Sequence, residues 1–150
     1  MARRVAVERS FIATVTAAEA LWYDPERWAS WIDGFGHVAR LSEQWPEVGA
    51  TLAWDSLPGG RGRVVERVEA YTPGRGQRLR VEDERLEGLQ QVGFADEPDG
   101  CLRVGFSLEY SLKQGGPLRP LVDFFFIKRA LTDSLTRTLV RFGIELQSDL

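Results

Sequence analysis

Few residue types in this chain could do chemistry at neutral pH, and their scarcity narrows the choices. His37 is the single histidine and Cys101 the single cysteine among 150 residues. With one of each, neither an intramolecular disulfide nor the usual Cys/His zinc set can form, so no metal and no cofactor is expected. His37 follows Gly34-Phe35-Gly36. Its ordinary pKa near neutrality makes it a candidate general base; the two glycines read as freedom for a gating loop. The other acid–base candidates are Glu66, Arg67, Tyr71 and Tyr110, the group types that polarise a carbonyl or move a proton. Glu66 and Arg67 sit in a stretch whose parity is open. If Val64 and Val68 face inward, Glu66 goes with them; if Val65 and Tyr71 do, Arg67 and Glu69 follow. Either way a charge approaches the interior and has to be paired or neutralised. The alternating carboxylates Glu82 and Glu84 read as a solvated face. Gly59-Gly60-Arg61-Gly62 and Gly74-Arg75-Gly76 look like phosphate loops but precede no helix, so both read as hairpin turns.

A larger set of residues could bind without reacting. Trp28, Trp31, Phe35, Trp54, Phe94, Phe106, Tyr110, Phe124 and Leu131 fall on several elements. Brought together they would line an apolar pocket for a small hydrophobic molecule; taken singly, each reads first as plain core.

The elements that must position them read clearly. From Pro120 to about Gln147 the chain has one long helical pattern. Pro120 suits the first helical position, and Gly115-Gly116-Pro117 marks the loop before it. Leu121, Phe124, Leu131, Leu135, Leu139, Phe142 and Leu146 fall on one face, with Arg129, Asp133, Arg137, Arg141 and Glu145 opposite. Such a helix is roughly 40 Å long, and its apolar stripe calls for a sheet as partner. Phe124-Phe125-Phe126 cannot all face inward, so one is exposed or meets a partner.

The first strand runs from Arg3 to Thr14. Thr16 to Glu19 reads as a capping box opening a short helix, and Asp24-Pro25 as the start of a second one that ends at Asp33-Gly34. Strand signals then repeat between turns: Val38–Gln44, Ala50–Ser56, Arg61–Tyr71, Arg78–Arg85, Gly88–Ala95 and Cys101–Leu112. In the last of these Leu102, Val104, Phe106, Leu108, Tyr110 and Leu112 alternate with polar or small residues. Connections of hairpin length imply an antiparallel meander, and the class is α+β. No linker or repeat divides the chain, so residues 1–150 form one domain.

In this order of elements the chain resembles the START-like or Bet v 1-like superfamily, with its polyketide cyclase/dehydrase and lipid-transport (SRPBCC) family. The matching residues are Val5 to Phe11, then Asp24-Pro25-Glu26-Arg27-Trp28-Ala29-Ser30-Trp31, Val68 to Pro73, Pro98-Asp99-Gly100, and Leu131 to Leu146. The resemblance implies a helix-grip fold: a curved antiparallel sheet of about seven strands around a long C-terminal helix, two short helices after the first strand, and an apolar cavity between. It also implies binding or transport of a lipid, polyketide or isoprenoid. The alternatives are a polyketide aromatase/cyclase-type enzyme and a protein-interaction module.

Composition fits a soluble, bacterial, cytoplasmic protein. Hydrophobic residues make up 43% and the net charge is −3, which implies neither nucleic acid nor an anionic membrane as partner. No apolar run reaches the length of a membrane span. The phenylalanine run leaves a homodimer open.

Overall fold

A computed structural model describes residues 3–113 and 120–149, with side chains of the last helix from Phe126 onward. The Gly115-Gly116-Pro117 loop and the side chains of Leu121 and Phe124 lie outside the described residues.

Strand β1 (Arg3–Ile12) is followed by two short helices, α1 (Val15–Trp22) and α2 (Trp28–Trp31). Six strands come next: β2 (Phe35–Leu41), β3 (Thr51–Ser56), β4 (Arg63–Thr72), β5 (Gly76–Glu82), β6 (Leu86–Glu97) and β7 (Cys101–Leu112). Helix α3 (Pro120–Ser148) closes the fold. The strands form one antiparallel sheet in the order β1-β7-β6-β5-β4-β3-β2. From β2 to β7 each strand pairs with the next in sequence through a short connection, and β1 pairs with β7. The α+β class and the helix-grip arrangement are thereby established.

Several local details differ from the sequence reading. Helix α1 is capped by Thr14, not Thr16: the Ala17 N–H donates to Thr14 Oγ1 at 3.1 Å. Glu19, the second half of the expected capping box, instead accepts the Gly74 N–H at 2.8 and 2.9 Å and so ties α1 to the β4–β5 hairpin. Asp24 does not open α2. Its side chain accepts the Glu26 N–H at 3.0 Å, holding a separate turn before the helical residues begin at Trp28; Asx turns of this kind compete with helix caps for the same residue type. His37 lies within β2 rather than in a loop. Gly36, also in β2, is placed by close approach, since a Cβ there would sit 2.5 Å from the Asp55 carbonyl oxygen.

The concave face of the sheet carries Leu52 and Trp54 from β3, Val64 and Val68 from β4, Leu79 and Val81 from β5, and Leu102, Val104, Phe106, Leu108 and Tyr110 from β7, all buried. These are the inward halves of alternating strands. Helix α3 buries Leu135, Leu139, Phe142 and Leu146 on one stripe, with Leu131 half-buried. Its partners are not the sheet alone. It lies along edge strand β1 and across α1 and α2, and touches the sheet interior chiefly at β7. Phe142 is fully buried where all of these meet, with ring centroids 5.9 Å from Phe11, 5.1 Å from Trp22 and 5.0 Å from Trp31. Phe11 in turn lies against Gly143, where a Cβ would come within 2.5 Å of the ring. Of the phenylalanine run, Phe126 is 72% exposed.

Truncating Phe142 would remove one partner from three elements at once. Phe142→Ala is expected to cost about 3–5 kcal/mol in urea denaturation. Ile144→Ala, at an exposed position two residues away, should stay within about 0.5 kcal/mol.

Candidate functional site

The alternation of β4 determines which charge enters the interior. Val64, Glu66 and Val68 point inward and Arg67 points to solvent. A register shift between Val68 and Ala70 then changes the facing, and Tyr71 packs its ring against Tyr23 at 5.4 Å.

Glu66 enters a cavity of about 70 Å³ between the concave face and the helices. All five tryptophans of the chain line it: Trp22, Trp28, Trp31, Trp45 and Trp54. Ile32, Leu52, Leu79, Phe106 and Leu135 complete the apolar wall. The indoles brace one another. Trp22 lies 4.7 Å from Trp31, and Trp28 lies edge-on to Trp45 at 5.4 Å, an arrangement aromatic rings favour. Two of them are anchored by backbone carbonyls: Trp28 Nε1 donates to Trp22 O at 2.8 Å and Trp45 Nε1 to Tyr23 O at 3.0 Å. The cavity is far smaller than the roughly 300–1,000 Å³ of pockets that enclose drug-sized molecules.

One end of the cavity is polar. Glu66 is 6% exposed. Burial pushes its pKa up, with Arg61 and the Trp54 indole pulling in the other direction. Trp54 Nε1 donates to Glu66 Oε1 at 3.4 Å, and the Arg61 guanidinium lies 5.8 Å from the centre of the Trp54 ring. Behind it, Arg61 Nε donates to the buried Asp83 at 2.8 Å. Asp83 is held further by the N–H groups of Arg85 at 2.8 Å and Leu86 at 3.0 Å, an Asx turn between β5 and β6. Gln77 and Gln90 also line the sheet side, Gln77 donating to the Pro46 carbonyl at 3.1 Å.

The opposite wall is a clamp between α2 and α3. Asp33 accepts from Ser134 Oγ at 2.7 Å and from Arg137 at 3.0 Å through two nitrogens, with Arg141 at 3.5 Å. Its own N–H donates to Thr138 Oγ1 at 3.0 Å. These contacts, Arg137 foremost, hold the Asp33 carboxyl below the usual aspartate range, and burial only partly opposes them. Arg27 fastens the turn before α2 to Glu145 at 2.8 Å and Asp149 at 2.9 Å.

The residues singled out from sequence are dispersed. Trp28, Trp31, Trp54, Phe106 and Glu66 line the cavity. Phe35 is buried behind it, between Trp28 and Trp54. Phe94 packs on Trp22 and Tyr23. Tyr110 is buried with its hydroxyl unpartnered among the described residues but is not part of the wall. Leu131 is half-buried against the core, and the Phe124 side chain lies outside the described residues. His37 is 71% exposed and pairs with Asp55 at 3.0 Å, remote from the cavity. Sequence reasoning missed Trp22 and Trp45, whose aromatic type was the available signal, and Arg61, Asp83 and Asp33, whose pairing depends on the folded chain.

Replacing Asp33 by alanine removes the carboxylate that accepts from Ser134 and Arg137 and faces Arg141. About 1–2 kcal/mol of stability should be lost at neutral pH. Because the folded-state pKa of Asp33 is depressed, its contribution is present above the ordinary aspartate value and lost as pH falls through the depressed one. The difference between wild type and Asp33→Ala in chemical denaturation should therefore shrink on acidification.

The family model described as polyketide cyclase / dehydrase and lipid transport matches residues 2–143. A START superfamily protein from Mycobacterium smegmatis superposes with a TM-score of 0.77 at 10% identity, covering 98% of this chain and 99% of that one. A conserved protein from Geobacillus kaustophilus gives 0.75 at 14% identity, with 97% and 96% covered. Norcoclaurine synthase from Thalictrum flavum, solved with dopamine and hydroxybenzaldehyde, gives 0.71 at 13% identity, with 99% and 88% covered. No curated protein shows significant sequence similarity to the chain.

Proposed function

We propose that this chain, which belongs to the polyketide cyclase / dehydrase and lipid transport family, binds and carries a small hydrophobic molecule in the cavity between the sheet and α3. The observation that supports this reading best is the wall itself, in which all five tryptophans gather around one void. Aromatic surface of this extent, arranged around a space, offers a molecule contacts that a filled core would have used internally. The ligand-binding residues we assign are Trp28, Trp31, Trp54 and Phe106 from the sequence reading, joined by Trp22, Trp45 and Leu135.

A void this small admits a molecule only if part of its wall yields. The α3 residues on that wall are Ser134, Leu135 and Thr138. Ser134 and Thr138 are both engaged by Asp33, so the clamp limits how far this part of the wall can move.

A polyketide cyclase-type enzyme is the second reading, and Glu66 is the observation in its favour. It is an acid held inside the cavity beside a guanidinium, a pairing able to polarise a carbonyl. Against it, His37 and Arg67 face solvent, and Tyr71 and Tyr110 lie outside the wall.

The neutral fluorophore N-phenyl-1-naphthylamine tests the carrier reading. One molecule should bind per chain at micromolar concentration and quench the tryptophan emission. Native mass spectrometry of gently purified protein should show a non-covalent adduct. A protein that takes up no probe and never carries an adduct would overturn the proposal.

A further inference from the structure

Resting on the carrier reading, we propose that the cavity selects an uncharged molecule presenting a carbonyl oxygen to Arg61 and Glu66, with Asp83 enforcing the selection by cancelling the charge of Arg61.

Three observations converge on the same corner. Trp54 joins the two groups physically, its ring 5.8 Å from the Arg61 guanidinium and its N–H directed at Glu66 at 3.4 Å. Arg61 Nη2 is buried and has no hydrogen-bond partner among the described residues, although Nε of the same group is engaged by Asp83. A buried donor left without an acceptor is costly, and an acceptor atom on a ligand would recover that cost. Glu66, nearly inaccessible, favours its protonated form because burial raises its pKa. In that form it is a second donor.

Charge completes the argument. An arginine stays protonated in a protein, and Asp83 offsets it with a carboxylate secured by two further backbone donors. When Glu66 is protonated, the corner carries no net charge. A ligand carboxylate would add an uncompensated negative charge to a site with little water, and an amine would add a positive one next to a guanidinium; both are costly. A carbonyl adds neither and accepts from both donors. The other charged group on the cavity wall is Asp33, already engaged by Ser134, Arg137 and Arg141. Glu66 therefore titrates against Arg61, with Asp83 behind it and Asp33 across the cavity.

The test uses three molecules with one apolar ring and different heads: cyclohexyl methyl ketone, cyclohexanecarboxylate and cyclohexylmethylamine. Their affinities are measured by displacement of N-phenyl-1-naphthylamine and by calorimetry. At pH 6 the ketone should bind about tenfold or more tighter than either charged analogue. Raising the pH from 5 to 9 should weaken ketone binding several-fold in the wild type, as Glu66 ionises, and leave Glu66→Gln unchanged. Asp83→Asn should reverse the preference toward the carboxylate, because Arg61 is no longer offset. If that variant does not fold, the pH profiles of wild type and Glu66→Gln decide alone. Equal or tighter binding of the carboxylate or amine by the wild type, or a flat wild-type pH profile, overturns the inference. Probe binding that none of the three displaces also overturns it while leaving the carrier reading intact. Failure of the probe itself to bind removes both.

Discussion

Everything in this protein depends on how one stripe of α3 is satisfied. Leu135, Leu139, Phe142 and Leu146 must be removed from water, and the sheet alone does not do it. Phe142 meets Phe11 from the edge strand and Trp22 and Trp31 from the two short helices. The short helices thus act as a wedge between the long helix and the concave face. Their tryptophans Trp22, Trp28 and Trp31 line the space left between the helices and the sheet, which is the cavity. Packing and binding surface are one feature here: the rings that hold α3 in place are the rings that wall the void.

That arrangement also separates the molecule into a firm part and a yielding one. The C-terminal half of α3 is fixed by the buried stripe and by the Arg27 and Asp33 clusters. The described part toward its N-terminus has no buried side chain before Leu135. Segments with few buried apolar contacts open at the lowest free energy, and that stretch, with Ile127 and Leu131 only partly buried, is the less firmly held end of the described helix. No helix among the described residues is long and apolar enough to cross a membrane.

Much of this was legible in the sequence, for identifiable reasons. Strand β7 was read to its exact ends because Leu102 to Leu112 alternate without exception and Pro98-Asp99-Gly100 punctuates the start. Helix α3 was read to within a residue at its C-terminal end, since its apolar residues keep helical spacing over many turns. The cap of α1 was misplaced because Thr14 and Thr16 are equivalent by type, and only the competing use of Glu19 by Gly74 distinguishes them. The facing of Glu66 stayed open because both parities of β4 carry apolar and charged residues. The Arg61–Asp83 pair was out of reach, because it joins two turns by a contact that no local pattern announces. His37 drew attention by being unique, yet its partner is a surface carboxylate. Rarity of a residue type is a weak guide to its placement.

The central claim is that the tryptophan-walled void is a binding site and not a packing defect. The most direct measurement is a crystal structure of the protein grown with N-phenyl-1-naphthylamine. Density for the probe is expected inside the cavity, enclosed by Trp22, Trp31, Trp54 and Leu135, with the Phe142 junction unchanged. A cavity that remains closed and empty while the probe sits on the outer surface would contradict it.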